Sequence, residues 1–130
     1  MKQVTTGAVF TTERVVSSAD TAAEIGSGEA KVLSTPILAA VMENAAMCCA
    51  AQFLDEGETT VGTYIAIEHL SATPVGMSFS ATATLTEANG RELVFEIEAS
   101  DERGIIGKAS HKRFVVLHEK FQAKVDAKKF

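Results

Sequence analysis

One carboxylate in the first half of the chain stands out as a candidate for acid–base or nucleophilic chemistry. Glu43 lies inside the apolar run from Ile37 to Leu54, ILAAVMENAAMCCAAQFL, with small or apolar residues one helical turn away on both sides. Such a carboxylate must be paired, hydrogen-bonded or protonated, because burial penalises its charge. Two interpretations stay open: a structural Glu bonded to a backbone N–H at a solvent slot or subunit seam, and a base or nucleophile tuned by a dry site.

A histidine further along the chain is the best candidate for a proton carrier. His69 follows the apolar stretch from Gly62 to Ile67, and its reference pKa near neutrality suits a general acid or base. The alternating pattern predicts that it shares a face with Thr63, Ile65 and Ile67. The competing interpretation is a satisfied structural histidine. His111 and His118 are interpreted as partly exposed residues of the last strand.

Two further residues have a structural and a functional interpretation each. Thr35, just before Pro36, is predicted to cap the following helix, with Pro36 as its first residue. The N–H donors and positive dipole of a helix start also suit a carbonyl that becomes an oxyanion. Gly62 is either a bulge, a weak point in a strand, or a place where a ligand approaches the backbone.

Other kinds of site are not indicated. Cys48 and Cys49 lie in apolar company and are interpreted as packing residues rather than nucleophiles. The sequence contains no Walker loop, dinucleotide glycine motif, nucleophile elbow or metal-ligand spacing, so we expect no metal.

The apolar run predicts the helix that positions Glu43. Its eighteen residues from Ile37 to Leu54 approach the length of a membrane span, but Glu43, Asn44 and Gln52 lie inside it. A helix that is apolar nearly all round is also typical of the buried helix of a globular protein. We therefore predict one long buried helix that ends in the polar loop at Asp55.

Strands are predicted around this helix from alternation of apolar and polar residues. The inward sets are Phe79, Ala81, Ala83 and Leu85 in one strand, and Leu93, Phe95, Ile97 and Ala99 in the next. Asn89-Gly90 between them predicts a hairpin. Further strands are expected from about Ala8 to Val16, Val61 to Ser71 and Ile105 to His118, with a bulge near His111–Phe114 where the alternation slips.

This order of elements predicts an α+β fold. The stretch Ser17–Ala30 is expected to form a short helix and a loop, and the tail Glu119–Phe130 a fraying surface helix. After the long helix, four strands are expected as an antiparallel meander, so the sheet wraps on that helix within one domain, residues 1–130. One such sheet covers only part of the helix, and dimerisation that extends the sheet would cover its edges.

Composition excludes several classes of function. The chain has 130 residues, 46% of them apolar, and 12 Lys and Arg against 17 Asp and Glu, which gives a net charge of −5. This apolar content argues against disorder, and the acidic balance argues against nucleic acid as the main partner. The two cysteines suggest reduced thiols, and no secretory signal core is evident. A cytoplasmic protein without a membrane partner is expected.

Three segments together resemble a known family. They are STPILAAVMENA, with Thr35 and Glu43; VGTYIAIEHLSATPVGM, with Gly62 and His69; and the closing stretch GKASHKRFVVLHEKFQAKV. Their order and spacing, over most of the chain from about Leu33 to Val125, resemble the fluoroacetyl-CoA thioesterase family of acyl-CoA hydrolases. That resemblance implies the hot-dog fold, an antiparallel sheet wrapped around one long central helix, in a homodimer, with a tetramer as the alternative.

The resemblance also implies a function and a site. Thr35, Glu43 and His69 would form a catalytic triad near the dimer interface that hydrolyses an acyl-CoA to a carboxylic acid and CoA. Gly62 would contact the thioester or CoA through its backbone, and Arg113 would lie close to the substrate, unless it is a surface strand residue. No cofactor is implied beyond the coenzyme A of the substrate. Whether Glu43 or Thr35 attacks the thioester stays open.

One departure and two alternatives accompany this hypothesis. The fluoroacetyl-specific enzyme carries lid phenylalanines ahead of its threonine, whereas Glu24–Lys31 here reads EIGSGEAK, without an aromatic residue. A broader short- or medium-chain acyl-CoA is therefore the expected substrate. The alternatives are a non-catalytic hot-dog protein that binds acyl-CoA or another small ligand, and a hydratase or dehydratase. Convergence of Thr35, Glu43 and His69 around a pocket would favour the hydrolase, and dispersal would favour binding.

Overall fold

The computed structural model describes residues 1–129 as one sheet with helices. The strands are β1 (Val9–Val15), β2 (Glu58–His69), β3 (Ser78–Asn89), β4 (Glu92–Asp101) and β5 (Gly104–Leu117); the helices are α1 (Ala22–Ile25), α2 (Thr35–Ala51) and α3 (His118–Asp126). Short 3-10 turns cover Ser18–Asp20 and Ala127–Lys129. The predicted α+β class is confirmed, as is a helix in the tail. Phe130, the last residue of that predicted tail, lies outside the described residues.

The helix α2 begins one residue earlier than the sequence suggested. Ser34 is the N-cap: its backbone is extended and its Oγ accepts a hydrogen bond from the Ile37 N–H at 3.3 Å. Thr35 is the first helical residue and Pro36 the second, so the prediction that Thr35 caps the helix is wrong. Ser34 takes the role because it is buried and its N–H is held by the Asp20 carbonyl at 3.0 Å. The Thr35 hydroxyl is therefore released from capping.

One face of α2 packs on the sheet and forms the core. The buried helix residues are Leu38, Val41, Met42, Ala45, Ala46, Cys49 and Ala50, and they face the alternating residues predicted on β3 and β4, all of which are buried. The small residues let helix and sheet approach closely. The expectation of a helix buried all round is not met within one chain, because a stripe on the opposite face is exposed: Pro36, Ala40, Asn44, Met47 and Ala51.

The strand order differs from the predicted meander. The sheet is antiparallel in the order β1-β3-β4-β5-β2, so β2 pairs with β5 and not with β3. Only β3, β4 and β5 form a meander. Between β2 and β3 the chain crosses the end of the sheet, where Leu33 donates to the Thr73 carbonyl at 2.9 Å and Gly76 donates to the Val16 carbonyl at 2.8 Å. This crossing leaves β1 and β2 as the two edges.

The bulge lies in β2 rather than in β5. The pairing register shifts between Gly62 and Tyr64, opposite Arg113 and Lys112. Along β5 the buried positions alternate without interruption at Ala109, His111, Arg113 and Val115. The sequence suggested a slip there because two of these inward positions carry polar side chains.

This bulge changes which residues of β2 share a face. A bulge adds one residue to one strand, so the alternation of faces is reset across it. Gly62, before the bulge, faces Glu43 of α2, and His69, after it, contacts Thr35 of the same helix. The predicted face of His69 is right for Ile65 and Ile67, which pack on the core, and wrong for Thr63, which is exposed.

The predicted strand and helix limits are otherwise close to those observed. β2 starts three residues before Val61 and stops two residues before Ser71, and α2 ends at Ala51 rather than Leu54. Among the helices of residues 1–129, none combines the length and the apolar character needed to cross a membrane.

Candidate active site

A threonine and a histidine predicted to be catalytic meet at the start of α2. The Thr35 Oγ1 lies 2.7 Å from His69 Nδ1, a hydrogen-bond distance. Thr35 is placed by the first turn of α2, and His69 by the last residue of β2. Each atom can donate or accept here, because the hydroxyl rotates and the imidazole has two tautomers.

The other nitrogen of His69 is buried beside the pair. Its Nε2 is buried and has no hydrogen-bond partner within residues 1–129. A buried polar atom without a partner costs roughly 1–3 kcal/mol, so such atoms are uncommon away from functional sites. Burial lowers the pKa of His69, which favours the neutral ring. Neutral His69 can therefore donate or accept a proton at Nε2, depending on which tautomer Thr35 selects.

A cleft of about 330 Å³ opens beside this pair. Its lining includes Thr35 and His69, together with Ala22, Ser27, Val32, Leu33, Ser34, Leu70, Ser71 and Ala72. None of these residues is Phe, Tyr or Trp. The cleft therefore has walls of small or aliphatic side chains next to the Thr35 hydroxyl and the His69 ring.

The third predicted catalytic residue lies elsewhere. Glu43 follows Thr35 by eight residues on α2, which corresponds to about 12 Å along the helix axis. Its carboxylate Oε2 lies 3.9 Å from Nη1 of Arg113, and its side chain is 41% exposed against 8% for Arg113. The dry surroundings expected for Glu43 are thus not complete within one chain. The alternative that Arg113 is a surface strand residue is wrong.

Arg113 is held by three further contacts besides the one with Glu43. Its Nε donates to Thr60 Oγ1 at 2.8 Å, and its Nη2 donates to the Thr60 carbonyl at 3.0 Å. Its Nη1 lies 3.2 Å from His111 Nε2. These bonds satisfy a buried cation on several sides, as burial of a guanidinium requires.

Gly62 is the place where the backbone comes closest to these side chains. A Cβ at this position would lie 3.0 Å from Glu43 Oε2, 3.3 Å from His111 Cε1 and 3.5 Å from Arg113 Nη1. A side chain here would push the carboxylate aside, so the absence of one leaves room for Glu43 beside β2.

His111 is the functional candidate that sequence reasoning missed. It was interpreted as partly exposed, but it is 1% exposed and lies between Tyr64 and Arg113. The available signal was its spacing of two from Arg113, which puts both side chains on one face of β5.

The predicted residues therefore form two clusters within one chain. Thr35 and His69 form the first; Glu43, Gly62 and Arg113 form the second, joined by Thr60 and His111. Within residues 1–129, no hydrogen bond connects Glu43 to Thr35 or His69.

Comparisons with known proteins identify the fold and the family. The sequence pattern of the family FlK, fluoroacetyl-CoA-specific thioesterase, matches residues 16–119. The fluoroacetyl-CoA thioesterase of Streptantibioticus cattleyicolor is 38% identical over 98 residues, which cover 75% of this chain and 70% of that enzyme. A solved structure of the fluoroacetyl-CoA thioesterase FlK superposes with a TM-score of 0.92 at 33% identity, covering 99% of this chain and 100% of the other.

A more distant structure shows the same architecture. A hot-dog-like protein from Thermanaerovibrio acidaminovorans superposes with a TM-score of 0.87 at 22% identity, covering 96% of this chain and 93% of that one. The predicted hot-dog fold is confirmed. The extent of the family match and the 38% identity show that the chain belongs to the fluoroacetyl-CoA-specific thioesterase family, and it is a thioesterase of the hot-dog fold.

Proposed function

We propose that the chain hydrolyses a short- or medium-chain acyl-CoA to a carboxylic acid and CoA in a homodimer, with each site built from both copies. Thr35 and His69 of one copy would bind and polarise the thioester carbonyl. Glu43 of the other copy would supply the base or nucleophile. The observation that carries this proposal is the hydrogen-bonded Thr35–His69 pair, whose two residues line a cleft.

The charge that develops on the carbonyl oxygen needs donors near Thr35. The first turn of α2 offers few, because the Ile37 and Leu38 N–H groups already bond to Ser34 and Pro36 has none. The Thr35–His69 pair leaves one donor, either the Thr35 hydroxyl or His69 Nε2, because the hydroxyl and the neutral ring have one hydrogen each and one of the two is used between them. If His69 Nδ1 accepts from the Thr35 hydroxyl, Nε2 carries the proton and can donate to the oxyanion.

The separation of the clusters supports a shared site. Thr35 and Glu43 are about 12 Å apart along one helix axis, and within residues 1–129 the Glu43 carboxylate contacts Arg113 and not the Thr35–His69 pair, so the two clusters are not joined in one copy. The edge strand β2 offers a way to join them, since an unpaired edge can pair with a second copy. In an antiparallel pairing centred on Ala66, the extra residue of the bulge brings Gly62 of one copy opposite His69 of the other, both on the side that faces the helix. Glu43, which borders Gly62, would then approach the Thr35–His69 pair across the interface.

Glu43 can promote hydrolysis as a base or as a nucleophile. As a base, Glu43 takes a proton from the water that attacks the thioester carbon; the C–S bond breaks, and the sulfur leaves as thiolate or takes that proton as CoA thiol. As a nucleophile, Glu43 attacks the thioester carbon, the C–S bond breaks, CoA leaves as thiolate and an acyl anhydride forms; water then hydrolyses the anhydride, which releases the acid and restores the carboxylate. Both routes need the carboxylate ionised and the carbonyl polarised by the Thr35–His69 pair.

The cleft supports a broad choice of small acyl groups. Its walls are small or aliphatic, and no aromatic residue occurs from Glu24 to Lys31, the stretch before Thr35. Discrimination of one halogenated acyl group would need closely fitted neighbours. We infer that acetyl-, butyryl- and hexanoyl-CoA are accepted alongside fluoroacetyl-CoA.

We place this activity in the cytoplasm. Cys48 and Cys49 are both free thiols, one half-buried and one buried, within the part of the chain that the structure describes. Adjacent free cysteines suit a reducing compartment, where acyl-CoA substrates are also found.

The direct test measures release of free thiol from a series of acyl-CoAs of increasing length. We expect release by the wild type and a loss of several orders of magnitude in Glu43→Gln. Glu87→Gln serves as the control, since Glu87 is exposed on β3, away from both clusters. No release from any thioester, with CoA esters still bound, would identify a binding protein instead.

A further inference from the structure

His111 connects the β2 bulge to the cation beside Glu43. Its Nδ1 lies 2.7 Å from the carbonyl of Tyr64, the residue just after the bulge, and its Nε2 lies 3.2 Å from Arg113 Nη1. The ring is 1% exposed. It therefore has two fixed contacts and no freedom to exchange them for water.

Elementary donor and acceptor rules determine the state of this ring. A guanidinium only donates hydrogen bonds, so His111 Nε2 must accept from Arg113. A carbonyl only accepts, so His111 Nδ1 must carry the proton and donate to Tyr64. The two contacts agree on one form: neutral His111 with its proton on Nδ1. Burial also lowers the pKa of His111, in keeping with this form.

The contact with His111 also limits the orientation of the Arg113 guanidinium. Two of its N–H groups are taken by Thr60, and one hydrogen of Nη1 is taken by His111. The second hydrogen of Nη1 is left for Glu43, whose Oε2 is 3.9 Å away. Because the guanidinium is planar, fixing three of its hydrogens fixes the direction of the others.

We propose that His111 is a positioning residue for hydrolysis, which orients the Arg113 guanidinium and through it the carboxylate of Glu43. This inference rests on the proposed function, in which Glu43 is the base or nucleophile. His111 does not touch the reacting atoms in this account. It sets the position of the Glu43 carboxylate when the substrate is bound.

A pair of substitutions separates positioning from simple packing. His111→Gln keeps both contacts, since the amide nitrogen can donate to Tyr64 and the amide oxygen can accept from Arg113. His111→Leu fills a similar volume with neither contact. We expect kcat to fall about 10–100-fold in His111→Leu with KM within about threefold of wild type, and to stay within about fivefold of wild type in His111→Gln.

A double substitution adds a readout that a packing role would not change. If His111 acts through Glu43, His111→Leu lowers the residual rate of Glu43→Gln by less than about threefold, because the carboxylate that it positions is already gone. The proposal is overturned if the losses of kcat in His111→Leu and Glu43→Gln multiply in the double variant. It is also overturned if His111→Gln loses as much kcat as His111→Leu, or if His111→Leu keeps the wild-type kcat. Melting curves confirm that each variant is folded.

A measurement on the wild type is independent of catalysis. Nitrogen-15 chemical shifts of the imidazole at pH 7.5 report which nitrogen carries the proton, and we expect a protonated Nδ1 and a bare Nε2 at His111. The opposite tautomer, or a doubly protonated ring, would remove the basis of the proposal. Failure of the proposed function would give a different result: the wild type would release no thiol, and His111 would still carry its proton on Nδ1.

Discussion

The Thr35 hydroxyl and the His69 ring, 34 residues apart in the chain, lie 2.7 Å apart at the junction of α2 and β2. Two structural details allow this contact. Ser34, and not Thr35, caps the helix, so the hydroxyl of Thr35 is free. The bulge after Gly62 then turns the far end of β2 so that His69 faces the helix. The pair is thus a consequence of local backbone geometry at both of its ends.

Substitution at Thr35 separates its hydroxyl from its shape. Thr35→Ser keeps the hydroxyl, and we expect kcat within about fivefold of wild type. Thr35→Val keeps the branched shape but removes the contact to His69 Nδ1, and we expect a loss of about 10²-fold or more, in the range of acid–base contributions. Because Ser34 provides the cap, neither change should lower the melting temperature by more than a few degrees. Wild-type turnover in Thr35→Val would exclude this role.

The rate should depend on pH through His69. A neutral ring can donate or accept at Nε2 as the site requires, whereas a protonated ring loses its bond from the Thr35 hydroxyl. Burial lowers the pKa of His69 below its ordinary value of about 6.5. The acid limb of kcat/KM is therefore expected below pH 6.5, with full activity above it. An acid limb centred at pH 7 or higher, absent from a slowed His69→Asn variant, would contradict this assignment.

Gly62→Ala tests the crowding around Glu43. The added Cβ would lie 3.0 Å from Glu43 Oε2, closer than ordinary contact, so the carboxylate must shift by a few tenths of an ångström. We expect kcat to fall at least about tenfold. The position is exposed and its φ is not in the left-handed region, so alanine suits the backbone and the melting temperature should change little. Unchanged kcat in a well-folded Gly62→Ala protein would show that the Glu43 carboxylate tolerates a side chain at this position.

Local signals in the sequence were sufficient for much of the fold. Asn89-Gly90 predicted the turn between β3 and β4. Period-two alternation predicted the buried residues of both strands, because successive side chains of a half-buried strand point alternately to the core and to solvent. The position of β2 at the far edge could not be predicted in this way. It depends on the crossing of residues 70–77 and on pairing with β5, which are non-local.

The sequence indicated residues for the candidate site by type, but not how they are grouped within one chain. Thr35 and His69 were expected to act together and do lie together. Glu43 was expected beside them, yet the pitch of the helix puts it near Arg113 instead. His111 was missed because a polar residue within an alternating strand indicates an outward side chain, while here Arg113 and the Tyr64 carbonyl satisfy it in the interior.

Subunit complementation tests the shared site most directly. Glu43→Gln and His69→Ala copies are co-expressed with different tags and purified as heterodimers, while each homodimer is expected to lose activity by orders of magnitude. If Glu43 serves the partner's Thr35–His69 pair, one of the two sites in the heterodimer is intact, and we expect about half of the wild-type rate. A matched heterodimer of Thr35→Val and His69→Ala should stay inactive, because those two residues act within one copy. No recovery in the first heterodimer, with the dimer verified by mass, would contradict the shared site.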